Sequence, residues 1–208
     1  FAHREPDPQV IEAQVDGLWR RKTDEAIAEF QPDLVGLTCM FTMTHPMMVE
    51  VAKHVKAAHP TLPIIAGGVH VSNAPEFVLQ AAAAIDFASL FEGDVSFGDM
   101  LDIAAGKLEA GSLAQIATLI DGRYTAISER AQPREDQINL PPDYDELPIG
   151  EYSLLGELGS YRSWLPPDTR ATSSISNRGC RAHCSFCSVA NFNGKGVRQR
   201  EIDSVVDE

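Results

Sequence analysis

Apolar positions along the first 130 residues alternate between short continuous runs and helically spaced stripes. Residues 34–39 (LVGLTC) form an apolar run of buried-strand type after Gln31-Pro32-Asp33. Pro46 stands where a helix can begin, because its missing N–H is not needed in the first turn. Met47, Met48, Val51, Ala52 and Val55 then recur at helical spacing, with Lys53 and Lys56 between them. Pro60 and Pro63 end that helix. The next strand, residues 62–66, runs into Gly67-Gly68. A helix is predicted over 75–84, a strand over 87–91 closed by Gly93, and a helix over about 96–105 stopped by Gly106. Residues 116–127 read as a β-hairpin, with Asp121-Gly122 as the favoured two-residue turn.

Repeated strand–helix units with connections of a few residues imply parallel strands and right-handed crossovers. The predicted fold is therefore an α/β module with an open parallel sheet, of flavodoxin or Rossmann type. Ligands of such sheets sit at the carboxyl ends of the strands. Those ends fall at residues 38–44, 67–73 and 92–96. Gly67-Gly68 would let backbone approach a ligand closely, although a glycine pair is equally a simple turn, and no G-x-G-x-x-G is present. From 130 to 168 the periodicity fades and prolines gather at 133, 141, 142, 148, 166 and 167. Tyr144, Leu147, Ile149, Tyr152, Leu154 and Leu155 give this linker something to bury, so it is expected to lie ordered over a surface. Residues 172–176 have strand character and lead into Asn177-Arg178-Gly179-Cys180. Residues 203–208 look like the first turns of a helix.

Composition adds exclusions. The 208 residues are 44% hydrophobic and 23% charged, with a formal net charge of −13. That balance excludes wholesale disorder. The most apolar stretch, 77–91, is interrupted by Gln80 and Asp86, so no membrane span is expected. No basic segment followed by an apolar core opens the sequence, which points to a cytoplasmic protein, and the start at Phe1 points to a processed chain or a fragment. The acidic total argues against nucleic acid as a partner. Charge is unevenly spread: Arg170, Arg178, Arg181, Lys195, Arg198 and Arg200 form a basic island without Asp or Glu. Such an island is either a solvated patch or faces something anionic.

Cysteine changes the picture most. Cys39 stands alone and reads as a small buried residue. Cys180, Cys184 and Cys187 crowd into one loop with spacing C-x3-C-x2-C. Thiolates are soft ligands that select zinc, copper(I) or iron–sulfur clusters. A structural zinc site wants four protein ligands, and only His183, wedged between two of the cysteines, is near enough to serve as the fourth. Three thiolates on a four-iron cluster would leave one iron open to a substrate or cofactor.

With a glycine before the first cysteine, an aromatic before the last and a predicted strand leading in, this loop resembles the signature of the radical S-adenosylmethionine (SAM) superfamily. The resemblance makes Cys180, Cys184 and Cys187 the ligands of a [4Fe-4S] cluster and sets Phe186 beside the adenine of SAM. The preceding α/β module, the linker LPPDYDELPI (140–149) and Ser176-Asn177-Arg178-Gly179-Cys180 make the whole chain similar to the cobalamin-binding subfamily. So do Pro32-Asp33, the segment IAGGVH (65–70), Glu92-Gly93-Asp94 and GVRQR (196–200). The resemblance implies a B12-binding domain over 1–129, a proline-rich linker over 130–168, and over 169–208 the first strand–loop–helix of a truncated (β/α) radical SAM barrel. It also implies that Thr38, Cys39, Met40, Phe41, Thr42, Gly67, Gly68, Val69, His70, Glu92 and Gly93 line the cobalamin. The D-x-H-x-x-G motif that supplies a histidine below the cobalt is absent. His70 is a possible ligand by position, with a loop or substrate contact the plainer reading.

The implied activity is methyl transfer to an unactivated carbon through a 5′-deoxyadenosyl radical and methylcobalamin, or oxidative cyclisation. The implied partners are a small-molecule substrate and a reductant such as flavodoxin or ferredoxin. A full barrel needs more strands after the cysteine loop, so the chain as given is expected to be an incomplete catalytic unit. The basic island would offset the thiolates and help set the cluster's potential. The alternative is a non-catalytic α/β module that holds cobalamin or a nucleotide, with a cysteine loop binding structural zinc.

Overall fold

The computed structural model describes residues 8–105, 107, 114–126, 130–145, 147 and 173–208. They divide into two compact units. The first holds the described residues up to Gln132 together with Asn191, Phe192 and Asn193; the second holds those of Pro133–Ala190 and Gly194–Glu208.

The first unit is built on a five-stranded open sheet in the order β1-β2-β3-β4-β5. Its strands are β1 (Val35–Thr38), β2 (Ile64–Gly67), β3 (Phe87–Ser89), β4 (Ile116–Ile120) and β5 (Arg123–Ala126). The first three are parallel, with Val35 opposite Ile64 and Ile65 opposite Phe87. The last two form the expected hairpin and join antiparallel to β3, so the sheet is mixed. Asp121 (φ 49°) and Gly122 (φ 73°) both take left-handed conformations, as a type I′ turn requires.

Its helices are α1 (Pro8–Phe30), α2 (His45–Ala58), α3 (Val69–Asn73), α4 (Pro75–Ala81) and α5 (Gly93–Ala104). The apolar pattern does not announce α1. Its described part is mostly exposed and laced by Asp16–Arg20 (3.1 Å), Arg21–Glu25 (3.2 Å) and Lys22–Glu25 (3.1 Å), spacings that support a helix without a strong apolar stripe. Helix α5 begins three residues before the predicted start, with Asp94 in its first turn, where the helix dipole favours an acid.

Side chains alternate across the strands and create two unequal core regions. Val35, Leu37, Ile64, Ala66, Ala88 and Ala117 pack on one face with Met48, Val49, Ala52 and Val55 of α2, Val71 of α3, and Val78 and Leu79 of α4. Ile65, Phe87 and Ile116 point to the other face, where Met100 and Ile103 of α5 cover them. The second cluster is much the smaller. Away from the strands' carboxyl ends, Asp86 pins the sheet. Its carboxylate accepts the Ile64 N–H at 2.7 Å and pairs with Lys56 at 2.8 Å.

In the second unit, α6 (Glu135–Ile138) lies within the predicted linker; residues 146 and 148–172, with Trp164 and Arg170, lie outside the described residues. Strand β6 (Asn177–Cys180) begins five residues after the predicted strand start at 172. It pairs antiparallel with β7 (Gly196–Gln199), while α7 (Val189–Asn193) intervenes and α8 (Ile202–Asp207) follows. Arg200 is buried, which removes it from the surface island. It donates to the Glu208 carboxylate, the Ile175 carbonyl and the Ser204 hydroxyl. Tyr144 donates to the same carboxylate at 2.7 Å, and these two hydrogen bonds hold the Glu208 pKa below the usual carboxylate range. Among the described residues no helix is long and apolar enough to cross a membrane.

Candidate functional site

The less covered face of the sheet carries a cavity of about 600 Å3 at the carboxyl ends of β1, β2 and β3. That size suits a cofactor or small-molecule site. Its floor is made by residues with little or no side chain: Gly36, Gly67, Gly68, Ser89 and Gly93. Leu37, Ile65, Phe91, Phe97 and Phe192 form apolar walls, and Thr38, Met40 and Asp94 complete the lining. Five residues singled out in the sequence therefore meet here: Thr38, Met40, Gly67, Gly68 and Gly93.

Local chemistry explains why three separate turns can share one rim. Gly68 has φ 100°, and a Cβ there would lie 2.7 Å from the Cys39 carbonyl oxygen, so only glycine fits. The close approach lets Cys39 N–H donate to Gly67 O (2.8 Å) and His70 N–H donate to Cys39 O (3.1 Å). Ser72 ties the glycine turn to the one after β3: its hydroxyl donates to Gly68 O at 2.9 Å and accepts the Phe91 N–H at 2.7 Å. Ser89 and Ser96 share a buried hydroxyl hydrogen bond of 2.6 Å under the floor. Ser72→Ala would leave the Phe91 amide without this partner and is expected to cost about 1–3 kcal/mol in denaturant unfolding. A loss below about 0.5 kcal/mol, the level of an ordinary surface change, would contradict this bridging role.

The other sequence-predicted residues, Cys39, Phe41, Thr42, Val69, His70 and Glu92, are not among the residues that line the cavity. Cys39 is fully buried, with its thiol donating to the Phe41 carbonyl. Phe41 and Thr42 are exposed on the loop after β1, and Val69 opens α3. Glu92 is buried as the residue before α5. His70 is buried, and both ring nitrogens have partners at 3.2 Å: Nδ1 with Thr42 Oγ1, Nε2 with His45 Nδ1. Burial first, and the neighbouring His45 second, hold its pKa below the ordinary histidine value. Met43, in the same segment, is 86% exposed, whereas Met48 is buried.

The set of lining residues expected from the sequence lacked Gly36, Leu37, Ile65, Ser89, Phe91, Phe97 and Phe192, and Asp94 entered only through the 92–96 strand end. Gly36 carried a usable signal: a lone glycine inside an apolar strand marks a close approach, and here its missing side chain makes room for Phe97. Phe192 carried none, lying far beyond Ala126, the last residue of the sheet.

In the second unit Cys180 ends β6, and Cys184 and Cys187 are exposed in the loop that follows. The loop folds back on itself, with Cys187 N–H donating to Cys184 O at 3.1 Å and Ala182 N–H to the Cys180 sulfur at 3.4 Å. Phe186 is 91% exposed. Among the described residues no three Cys, His, Asp or Glu side chains are gathered as a metal-binding group. The fit to a cluster is therefore one of donor chemistry: three soft thiols within eight residues.

Comparison with known proteins agrees with this geometry. Residues 5–101 match the family model of the B12 binding domain. The chain is 26% identical over its whole length to an uncharacterized methyltransferase of Pyrococcus horikoshii, 42% of whose length it spans. It is also 26% identical, over 97% of its length, to an anaerobic magnesium-protoporphyrin IX monomethyl ester cyclase of Cereibacter sphaeroides, and spans 31% of that protein. Residues 5–101 are thus a B12 binding domain by their family match, and the longer sequence is similar to cobalamin-dependent radical SAM methyltransferases. The radical SAM methyltransferase TsrM of Kitasatospora setae shares the fold, with a TM-score of 0.71 and 19% identity over 91% of this chain and 36% of that one. The B12 binding match agrees with the open sheet and its cavity. The chain spans well under half of each of these relatives.

Proposed function

We propose that the chain is the corrinoid-binding part and the cluster-binding start of a cobalamin-dependent radical SAM methyltransferase. The observation that carries this reading is the small-residue floor of the cavity, at the strand ends of a domain that matches the B12 binding family. When bound, the three cofactors supply an electron, a carbon-centred radical and a transferable methyl group.

The chain's own residues bind and orient. Gly67, Gly68 and Gly93 admit close backbone approach, and Phe91, Phe97 and Phe192 exclude water. Thr38 offers a hydroxyl to the polar periphery of the ligand. His70 is engaged by Thr42 and His45, and so would brace the loop after β1 against α3 beside a bound corrinoid. Cys180, Cys184 and Cys187 would hold the cluster, with Phe186 beside the nucleoside of SAM. Methyl transfer to carbon is preferred to oxidative ring closure because several relatives, one of them aligned over the whole chain, are named methyltransferases.

Titration of the chain with hydroxocobalamin, followed by absorbance, tests the reading. One saturable site per chain is expected. Gly67→Val should abolish it without unfolding the protein. Position 67 faces the cavity, and a Cβ there meets Ser89 only at 3.5 Å, an ordinary contact, while the added methyls fill the floor. Absence of saturable binding by the unaltered chain, or unchanged binding by Gly67→Val, overturns the reading.

A further inference from the structure

One wall of the cavity, Phe192, comes from a three-residue segment remote in sequence from the sheet. Three side chains on three different loops fasten it. Asn73, at the end of α3, accepts a hydrogen bond from Asn191 Nδ2 at 2.8 Å. Glu92, after β3, accepts one from Asn193 Nδ2 at 2.8 Å. Arg130, past β5, donates through Nη1 to Asn191 O at 2.9 Å and through Nη2 to Phe192 O. The Arg130 guanidinium also lies 4.1 Å from the centre of the Phe91 ring, another wall of the same cavity.

The grip of Arg130 is built into the fold. The last carbonyls of a helix lack intrahelical partners, and α7 ends at Gly194 with φ 86°. A planar cationic fork satisfies two such carbonyls at once, with the favoured sign of charge at a helix C-terminus. Gln115, 1% exposed, braces the loops that carry the fastenings. Its side-chain N–H donates to Glu92 O at 3.2 Å and its side-chain oxygen accepts the Ala131 N–H at 3.0 Å. Gln115 thereby links the backbone at Glu92 to the backbone at Ala131, the residue after Arg130.

We propose that residues 191–193 form a clasp over the cavity and that Arg130 is its positioning residue, so that Arg130 sets how long a bound corrinoid stays. The inference rests on the corrinoid reading of the cavity. It adds that release requires the Phe192 wall to lift. Losing two hydrogen bonds from a charged donor, together with the ring stacking, is expected to speed release about tenfold.

The test measures first-order hydroxocobalamin release from the unaltered chain and from Arg130→Ala, Arg130→Lys and Asn193→Ala. Hydrogen exchange of the amides of 191–194 is measured in the same proteins without corrinoid. Faster exchange and about tenfold faster release in Arg130→Ala are expected, with an unfolding midpoint within about 3 °C of the unaltered chain. Arg130→Lys should resemble Ala, because an ammonium cannot span two carbonyls as the fork does. Asn193→Ala, which removes a different fastening, should shift release in the same direction. Faster exchange with unchanged release overturns the proposal, as does full rescue by lysine. Failure of the unaltered chain to bind corrinoid would instead overturn the reading of the cavity, whatever the exchange pattern.

Discussion

Replacing Gly68 by alanine is expected to lower the unfolding free energy of the first unit by about 3 kcal/mol or more, roughly 10 °C in Tm, and to abolish corrinoid binding. Two costs add. The backbone at 68 has φ 100°, where an L side chain is strained by about 1–3 kcal/mol. The new Cβ would also sit 2.7 Å from the Cys39 carbonyl oxygen and 3.0 Å from its carbon, atoms that cannot rotate away as a side chain can. Relief requires β1 and β2 to part where Cys39 N–H meets Gly67 O and His70 N–H meets Cys39 O. Both bonds border the cavity, so stability and binding should fall together. A loss below about 1 kcal/mol in denaturant unfolding would show that the turn relaxes freely and that the tight approach does not shape the floor.

Gly179→Ala should have a comparable effect on the cysteine loop while leaving every thiol in place. Gly179 takes φ 88°, and a Cβ there would collide with the Gly196 carbonyl oxygen across the β6–β7 pair. Cys180 is the next residue and pairs with Gly196 itself. Forcing the strands apart therefore moves the first sulfur relative to the other two. After anaerobic reconstitution with iron and sulfide, iron content is expected to fall from about four per chain to below about one. Cys39→Ala, which removes the buried thiol of the first unit, should retain the full complement. Normal iron content in Gly179→Ala would mean that the β6–β7 pairing does not position the ligands.

Much of this arrangement could be read before any coordinates. The parallel strands and the hairpin were legible because alternation and turn chemistry are local: Asp121-Gly122 can hardly be anything but a turn of its observed kind. The three cysteines stand out in the sequence because soft donors at tight spacing have few other uses. Helix α1 was not, since its stability comes from charge pairs along a weakly patterned surface. The walls of the cavity were legible only in part. Glycines announce close approach, but Phe97 and Phe192 reach the site through packing of elements that no local pattern connects. The depth of Cys39 follows from its place between β1 and α2, whereas Arg200 became an internal residue only through Glu208 and Ser204, partners near it in space.

The account turns on whether three thiols of one loop support a cluster with an iron left free for SAM. The measurement that addresses this most directly is metal and sulfide analysis of the oxygen-protected chain, with electron paramagnetic resonance of the reduced sample before and after SAM is added. About four irons per chain and a signal that SAM alters are predicted, with both lost in Cys184→Ala. A single tightly held zinc, or a cluster signal indifferent to SAM, would contradict the account and leave a corrinoid-binding α/β unit joined to a structural metal loop.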